Sequence, residues 1–206
     1  MFWADIFDKM AQQDYVVMDD FLDENLIHTI MVFFQNKEDE DVFKKAAIGS
    51  SGKELIINEV RGDYTFWLDK NRDAELSDLF EVFDQVKFWI NRMCFLSLSD
   101  YEFHLAHYPE GSFYKRHLDQ FAGRNNRMIS LIIYLNKDWK NGDGGELRIY
   151  PKGNGSLDIQ PLYNRCILFR SDTLEHEVLT AHKDRRSVTG WMLYKPATLA
   201  VLSSKS

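Results

Sequence analysis

The chain has 206 residues, 45% apolar and 14% aromatic, which excludes a disordered or collagen-like polymer and is long enough to bury the core of one domain. Its 25 Lys plus Arg against 32 Asp plus Glu leave a formal charge of -7, which repels phosphate backbones and argues against nucleic acid as a principal ligand. The two cysteines, Cys94 and Cys166, form no CxxC pair, so a disulfide framework and a zinc-thiolate site are not expected.

The opening segment, "MFWADIFDKM", carries aspartates where a signal peptide has cations, and no apolar run reaches membrane-spanning length. The expectation is a cytoplasmic protein with no membrane partner. Trp3, Phe7 and Tyr15 are expected to cover the core. In "FLDENLIHTIMVFFQ", Leu26, Ile30 and Phe33 recur at helical spacing behind Asp23, a residue type suited to cap a helix. "ELIINEVRGDYTFWL" reads as strand, turn and strand, a hairpin near 55–68. "AELSDLFEVFDQVKFWINRMCFL" predicts a second helix, with an apolar stripe through Leu76, Leu79, Phe80, Phe83, Val86, Trp89 and Ile90.

From residue 101 the pattern changes. "YEFHLAHY", "RMISLIIYLN", "GELRIY", "SLDIQP", "RCILFRS", "HEVLTA" and "RRSVTGWMLY" are short strand-like runs separated by Gly, Asn, Asp and Pro clusters. Many short strands at near-regular spacing predict a sandwich, jelly roll or barrel. The fold class is therefore mainly β with supporting helices (α+β). The expected organisation is a single domain: helical support over 1–100, a β core over 101–195 and a tail over 196–206.

Chemistry concentrates in "FYKRHLDQF", where His117 and Asp119 stand two positions apart. In an extended segment such residues project to one side and can reach one ion. A further imidazole, His176, stands at the start of a predicted strand. Two imidazoles and one carboxylate on a β core suit non-haem Fe(II) with open coordination positions. Read as a strand, "RRSVTGW" puts Arg185, Ser187, Thr189 and Trp191 on one face and Arg186 on the other. An arginine pointing into a β core is costly unless an anion meets it. A dicarboxylate held by its planar guanidinium can chelate the metal with its other end, and Thr189 and Tyr134 can add hydroxyl donors. His104 and His107 fall on opposite strand faces, and only His104 shares a face with Tyr108. His28 and His182 are expected to be solvated or to pack.

With these residues in place, the chain resembles the 2-oxoglutarate- and Fe(II)-dependent dioxygenases. It is most similar to the prolyl 4-hydroxylases, in particular those that hydroxylate hypoxia-inducible factor. "RGD" at 61 to 63, "YLNKDW" at 134 to 139, "GGELRIYP" at 144 to 151 and "HEV" at 176 to 178 match that family's segments in order. The resemblance implies a double-stranded β-helix (a cupin-like jelly roll) with Fe(II) on His117, Asp119 and His176. It implies 2-oxoglutarate on Arg185 with Tyr134 and Thr189, O2 as oxidant, and ascorbate as a reductant of the metal. Tyr108, Tyr114 and Trp191 would line the co-substrate and metal pocket, and Asp63, Trp67 and Arg127 would stand near a target proline. Arg186 competes with Arg185 as the carboxylate anchor: alignment through Trp191 favours Arg185, and a one-residue bulge would reverse the choice. The stretch from Asp119 to Arg127 is one residue longer than in the nearest relatives, and the loop after Trp139 is shorter. The implied partner is a proline-containing protein, for which a translation protein such as elongation factor Tu is the expectation. The alternatives are an oxygenase acting on another residue or a free amino acid, and a low-turnover module sensing oxygen or 2-oxoglutarate.

Overall fold

The computed structural model describes residues 3–46, 60–120, 125–153 and 155–195. Three helices precede most of the β structure: α1 (Trp3–Gln13), α2 (Glu24–Asp39) and α3 (Ser77–Cys94). Asp23 caps α2 as its residue type predicts, accepting from the Asn25 and Leu26 N–H groups at 3.0 and 2.9 Å. The stripe of α3 is buried through Leu79, Phe80, Phe83, Val86 and Ile90, and Phe83 stacks on Phe103 at 3.7 Å. Leu76 is buried in a short 3-10 turn ahead of that helix, and Trp89 is half-buried. Trp3 and Phe7 lie in α1, whereas Tyr15 opens a strand that the sequence reading did not assign.

The strands are β1 (Tyr15–Met18), β2 (Lys44–Lys45), β3 (Tyr64–Trp67), β4 (Asp100–Tyr108), β5 (Tyr114–His117), β6 (Arg127–Tyr134), β7 (Leu147–Tyr150), β8 (Leu157–Ile159), β9 (Cys166–Arg170), β10 (Glu175–Val178) and β11 (Arg185–Leu193). All seven β runs expected after residue 101 are strands. The eleven strands form a seven-stranded sheet in the order β1-β9-β6-β11-β4-β3-β2 and a four-stranded sheet in the order β5-β10-β7-β8, with antiparallel pairing between all neighbouring strands. One apolar cluster fills the space between them, with Ile132 and Phe169 from the large sheet and Leu147, Ile149 and Val178 from the small one. The other face of the large sheet packs on the helices through a second cluster that includes Ile27, Ile30, Phe83, Leu105 and Leu131. This is the expected jelly roll, buttressed on one side by helices.

The hairpin expected near 55–68 is realised in part. Its second strand is β3, which pairs with β2 and β4, while residues 55–59 lie outside the described residues.

Candidate metal centre and its cavity

The small sheet brings two imidazoles together. β5 and β10 run antiparallel with His117 directly opposite His176, so both rings leave adjacent strands at one level. Asp119 does not continue the extended run: β5 ends at His117 and Asp119 sits in the bend that follows. This corrects the simple two-residue strand geometry, because the bend, rather than the pleat, turns the carboxylate back to the rings. His117 Nε2 lies 3.6 Å from Asp119 Oδ1, and His176 Nε2 lies 3.6 Å from Asp119 Oδ2. Donor atoms from the three side chains all fall within 4.8 Å of one another.

Each ring is fixed from behind. His117 Nδ1 donates to the Lys115 carbonyl at 2.8 Å, and His176 Nδ1 to the Leu174 carbonyl at 3.1 Å. A carbonyl only accepts, so both Nδ1 atoms carry the proton and both Nε2 lone pairs face the carboxylate. Tyr114 stacks on His117 at 3.7 Å, and the edge of Phe169 meets His176 at 4.7 Å. Ser130, on β6, donates its hydroxyl to Asp119 Oδ2 at 2.5 Å and is itself 2.8 Å from the Ser171 hydroxyl. Burial alone would raise the Asp119 carboxyl; the Ser130 hydroxyl, and positive charge on the imidazoles when they are protonated, reverse this and bring it below the usual carboxylate range. Burial, aided by His117, pushes His176 down to about 4, so its ring is neutral at pH 7. A charged oxygen donor and two imidazole nitrogens converging in a buried site fit a divalent iron that keeps open positions.

Deeper in the same cavity lies Arg185, 1% exposed. Its Nε donates to the Gly145 carbonyl at 2.9 Å, and its guanidinium lies 4.8 Å from the Tyr108 ring and 5.0 Å from the Tyr134 ring. No carboxylate among the described residues pairs with it. The Tyr134 hydroxyl is buried without a partner, and burial pushes its pKa up to about 12 despite the opposing charge of Arg185. A buried cation and an unpartnered hydroxyl side by side constitute a seat for an anion. Gly145 makes room for it: at φ +65° it adopts a conformation L side chains rarely take, and a Cβ there would stand 3.0 Å from Arg185 Cδ. Thr189 lines the cavity, its hydroxyl 3.0 Å from that of Ser187. Arg186 points the other way and pairs with Glu38 of α2 at 2.7 Å. The cavity therefore contains Arg185 and not Arg186.

Outward from the triad the cavity runs past His104, Tyr114 and Trp191 to Trp67, with a volume of about 1040 Å³. His104 is buried between Trp67 and Trp191, its ring 4.8 and 5.6 Å from theirs. Arg127 lies 3.3 Å over the Trp191 ring and pairs with Glu102 at 2.6 Å. Asp63 is 1% exposed and is not at the cavity wall; it holds Arg61, which is, at 2.5 and 2.7 Å. Arg61 in turn lies 4.3 Å over Tyr114. His107 faces Glu38 on the opposite side of the sheet, and His28 and His182 are exposed. Sequence reasoning missed Ser130, Arg61 and Gly145. Of these, Arg61, inside "RGD", and Gly145, inside "NGDGG", left a visible signal.

Residues 103–193 match the family model of the 2OG-Fe(II) oxygenase superfamily. The solved structure of a Pseudomonas putida prolyl-4-hydroxylase is 31% identical and superposes with a TM-score of 0.85, over 94% of this chain and 99% of that one. A prolyl hydroxylase from Trichoplax adhaerens, solved with a hypoxia-inducible-factor peptide fragment, is 24% identical with a TM-score of 0.83, over 93% of this chain and 88% of that one, and shows the shared fold. Egl nine homolog 1 of Homo sapiens is 31% identical over 194 residues, 88% of this chain and 44% of the relative. The chain spans about half the length of the curated relatives it matches. With its triad, its buried arginine and a full-length structural relative above 30% identity, the chain belongs to the 2OG-Fe(II) oxygenase superfamily.

Proposed function

We propose that the chain is a 2-oxoglutarate- and Fe(II)-dependent prolyl 4-hydroxylase acting on a proline of a protein target. The carrying observation is one cavity that holds the His117–Asp119–His176 triad, an anion seat at Arg185 on its inner side, and an opening toward Trp67 far larger than a five-carbon diacid needs. At about 1040 Å³ it reaches the top of the roughly 300–1,000 Å³ range of small-molecule sites, which leaves room for a polypeptide segment.

In this reading His117, Asp119 and His176 hold Fe(II). Arg185 takes the distal carboxylate of 2-oxoglutarate, with Tyr134 and Thr189 donating hydroxyls and Tyr108 and Trp191 enclosing it. When bound, the metal and co-substrate supply the oxidative decarboxylation that delivers one oxygen atom of O2 to the substrate and the other to succinate. The protein positions and shields. The carbonyls of Lys115 and Leu174 hold the two rings, Ser130 holds one carboxylate oxygen, and the aromatic walls exclude water. Trp67, exposed at the mouth, and Arg127, against Trp191, are placed to meet the target strand. The superfamily relationship to prolyl hydroxylases supports proline as the target. A translation factor such as elongation factor Tu is the target class we favour.

The test is succinate formation from 2-oxoglutarate with Fe(II), alone and with proline peptides or purified elongation factor Tu, followed by mass spectrometry for one added oxygen on proline. Oxygen found on another residue or on a free amino acid would replace the prolyl reading. Turnover stimulated by no peptide, protein or lysate would favour a sensing module.

A further inference from the structure

The rim of the cavity carries charge of the opposite sign to the chain. Overall the protein is acidic, with a formal charge of -7. Yet the cations at the cavity wall outside the inner seat are Lys44, Lys45, Arg61, Arg72 and Arg127, against two carboxylates, Asp119 and Glu175. Asp119 faces the imidazoles, and Glu175 is held by Arg116. The three arginines are matched internally: Arg61 by Asp63, Arg72 by Asp73 and Arg127 by Glu102. Lys44 and Lys45 differ. Among the described residues neither has a carboxylate partner; Lys44 is exposed, and Lys45 stands 5.9 Å over the Tyr64 ring. They make up the whole of β2, the edge of the large sheet: Lys44, opposite Thr65, shares the cavity face with Trp67, whereas Lys45, opposite Tyr64, starts on the other face and borders the cavity at the strand's open edge.

We infer that the segment entering this cavity is acidic, with Asp or Glu flanking the reactive residue and meeting Lys44, and with Lys45 adding its charge from the sheet edge. This rests on the reading of the cavity as a polypeptide site. Ammonium groups at the rim that have no carboxylate partner among the described residues attract carboxylates and penalise lysine or arginine at the same place, so they select among targets and speed encounter. In that reading the inner seat is reserved for the diacid, and it is separated from β2 by β3 and β4 within the sheet, so the two charge requirements are met independently.

The test uses the full chain loaded with Mn(II) and 2-oxoglutarate, which permits binding without turnover. Three fluorescent proline peptides of equal length differ only at the flanking positions, carrying Asp/Glu, Asn/Gln or Lys/Arg. Anisotropy titration at about 20 mM salt is expected to give the acidic peptide a Kd roughly tenfold below the amide peptide, a margin that shrinks at about 300 mM salt. K44E/K45E is expected to reverse the order, and K44Q/K45Q to abolish it, with melting curves verifying that each variant is folded. Equal affinity for acidic and amide peptides, or an acidic preference untouched by K44E/K45E, overturns the inference; if the variants do not fold, the wild-type ranking decides. Hydroxylation is scored separately with Fe(II). Charge-selective binding without oxygen on proline removes the prolyl reading and leaves the acidic segment standing, whereas hydroxylation with no charge preference does the reverse.

Discussion

At the inner end of the cavity, Arg185, Tyr108 and Tyr134 come from three adjacent central strands, β11, β4 and β6, and are all buried. At the outer end, Lys44, Lys45 and Trp67 come from the short strands β2 and β3 at the sheet edge, and Trp67 is 46% exposed. Central strands are paired on both sides, so the position of Arg185 is determined by two neighbours at once, against Tyr108 on β4 and through Ser187 against Tyr134 on β6. Among the described residues the edge strand β2 is paired on one side only, to β3, so fewer neighbours fix its residues. Under the proposed function, the division separates a part that must serve one small co-substrate from a part free to follow the sequence of a protein target.

The largest effect tests the boundary between the two ends. His117→Ala or Asp119→Ala is expected to abolish turnover, by a factor of about 10³ or more measured as succinate release, because the remaining donors hold the metal poorly. Next comes the inner end alone. Arg185→Ala should raise the KM for 2-oxoglutarate about 100-fold, the scale of losing charge-assisted bonds to a carboxylate, while Arg186→Ala leaves that KM in place. A larger co-substrate defect in Arg186→Ala would contradict the observed strand register.

Between the ends, His104 supplies a pH signature. Burial, with the Arg61 and Arg127 charges, pushes it down to about 3 from an ordinary 6.5. The unfolded chain therefore binds this proton first as pH falls, and stability present above 6.5 is lost progressively from there toward 3. His104→Gln should flatten the decline in melting temperature between about pH 6.5 and 4.5, recovering roughly 2–3 kcal/mol of acid destabilisation. An unchanged acid slope would assign the lability to other groups. The smallest effect belongs to the rim: Trp67→Ala should raise the KM for a peptide substrate about tenfold through lost aromatic contact and leave the KM for 2-oxoglutarate unaltered.

Much of this was legible in the sequence because it is local. The α3 stripe, the Asp23 cap, the seven β runs and the alternation that separates Arg185 from Arg186 all follow from periodicity within one element. The unread parts are contacts across the chain. Ser130 meets Asp119 over 11 residues, Arg61 meets Tyr114 over 53, and Arg186 meets Glu38 over 148. No periodic pattern encodes such pairs. β2 was missed because two residues are too short to show alternation, β1 because "YVVM" has no polar–apolar alternation, and the Asp119 bend because a strand end leaves no signal in "HLDQ".

Gly190 has a consequence for how the chain finds this arrangement. It sits mid-strand in β11, opposite Phe103, where a Cβ would come within 2.2 Å of the Glu102 carbonyl oxygen and 2.3 Å of the Phe103 ring. A slip of β11 by one position would bring Thr189 or Trp191 to that spot, and would also exchange Arg185 for Arg186 in the interior. The notch left by a missing methyl thus works as a key cut for one alignment, so mispaired forms that look native in strand content but cannot seat the diacid are blocked by collision rather than by weak preference.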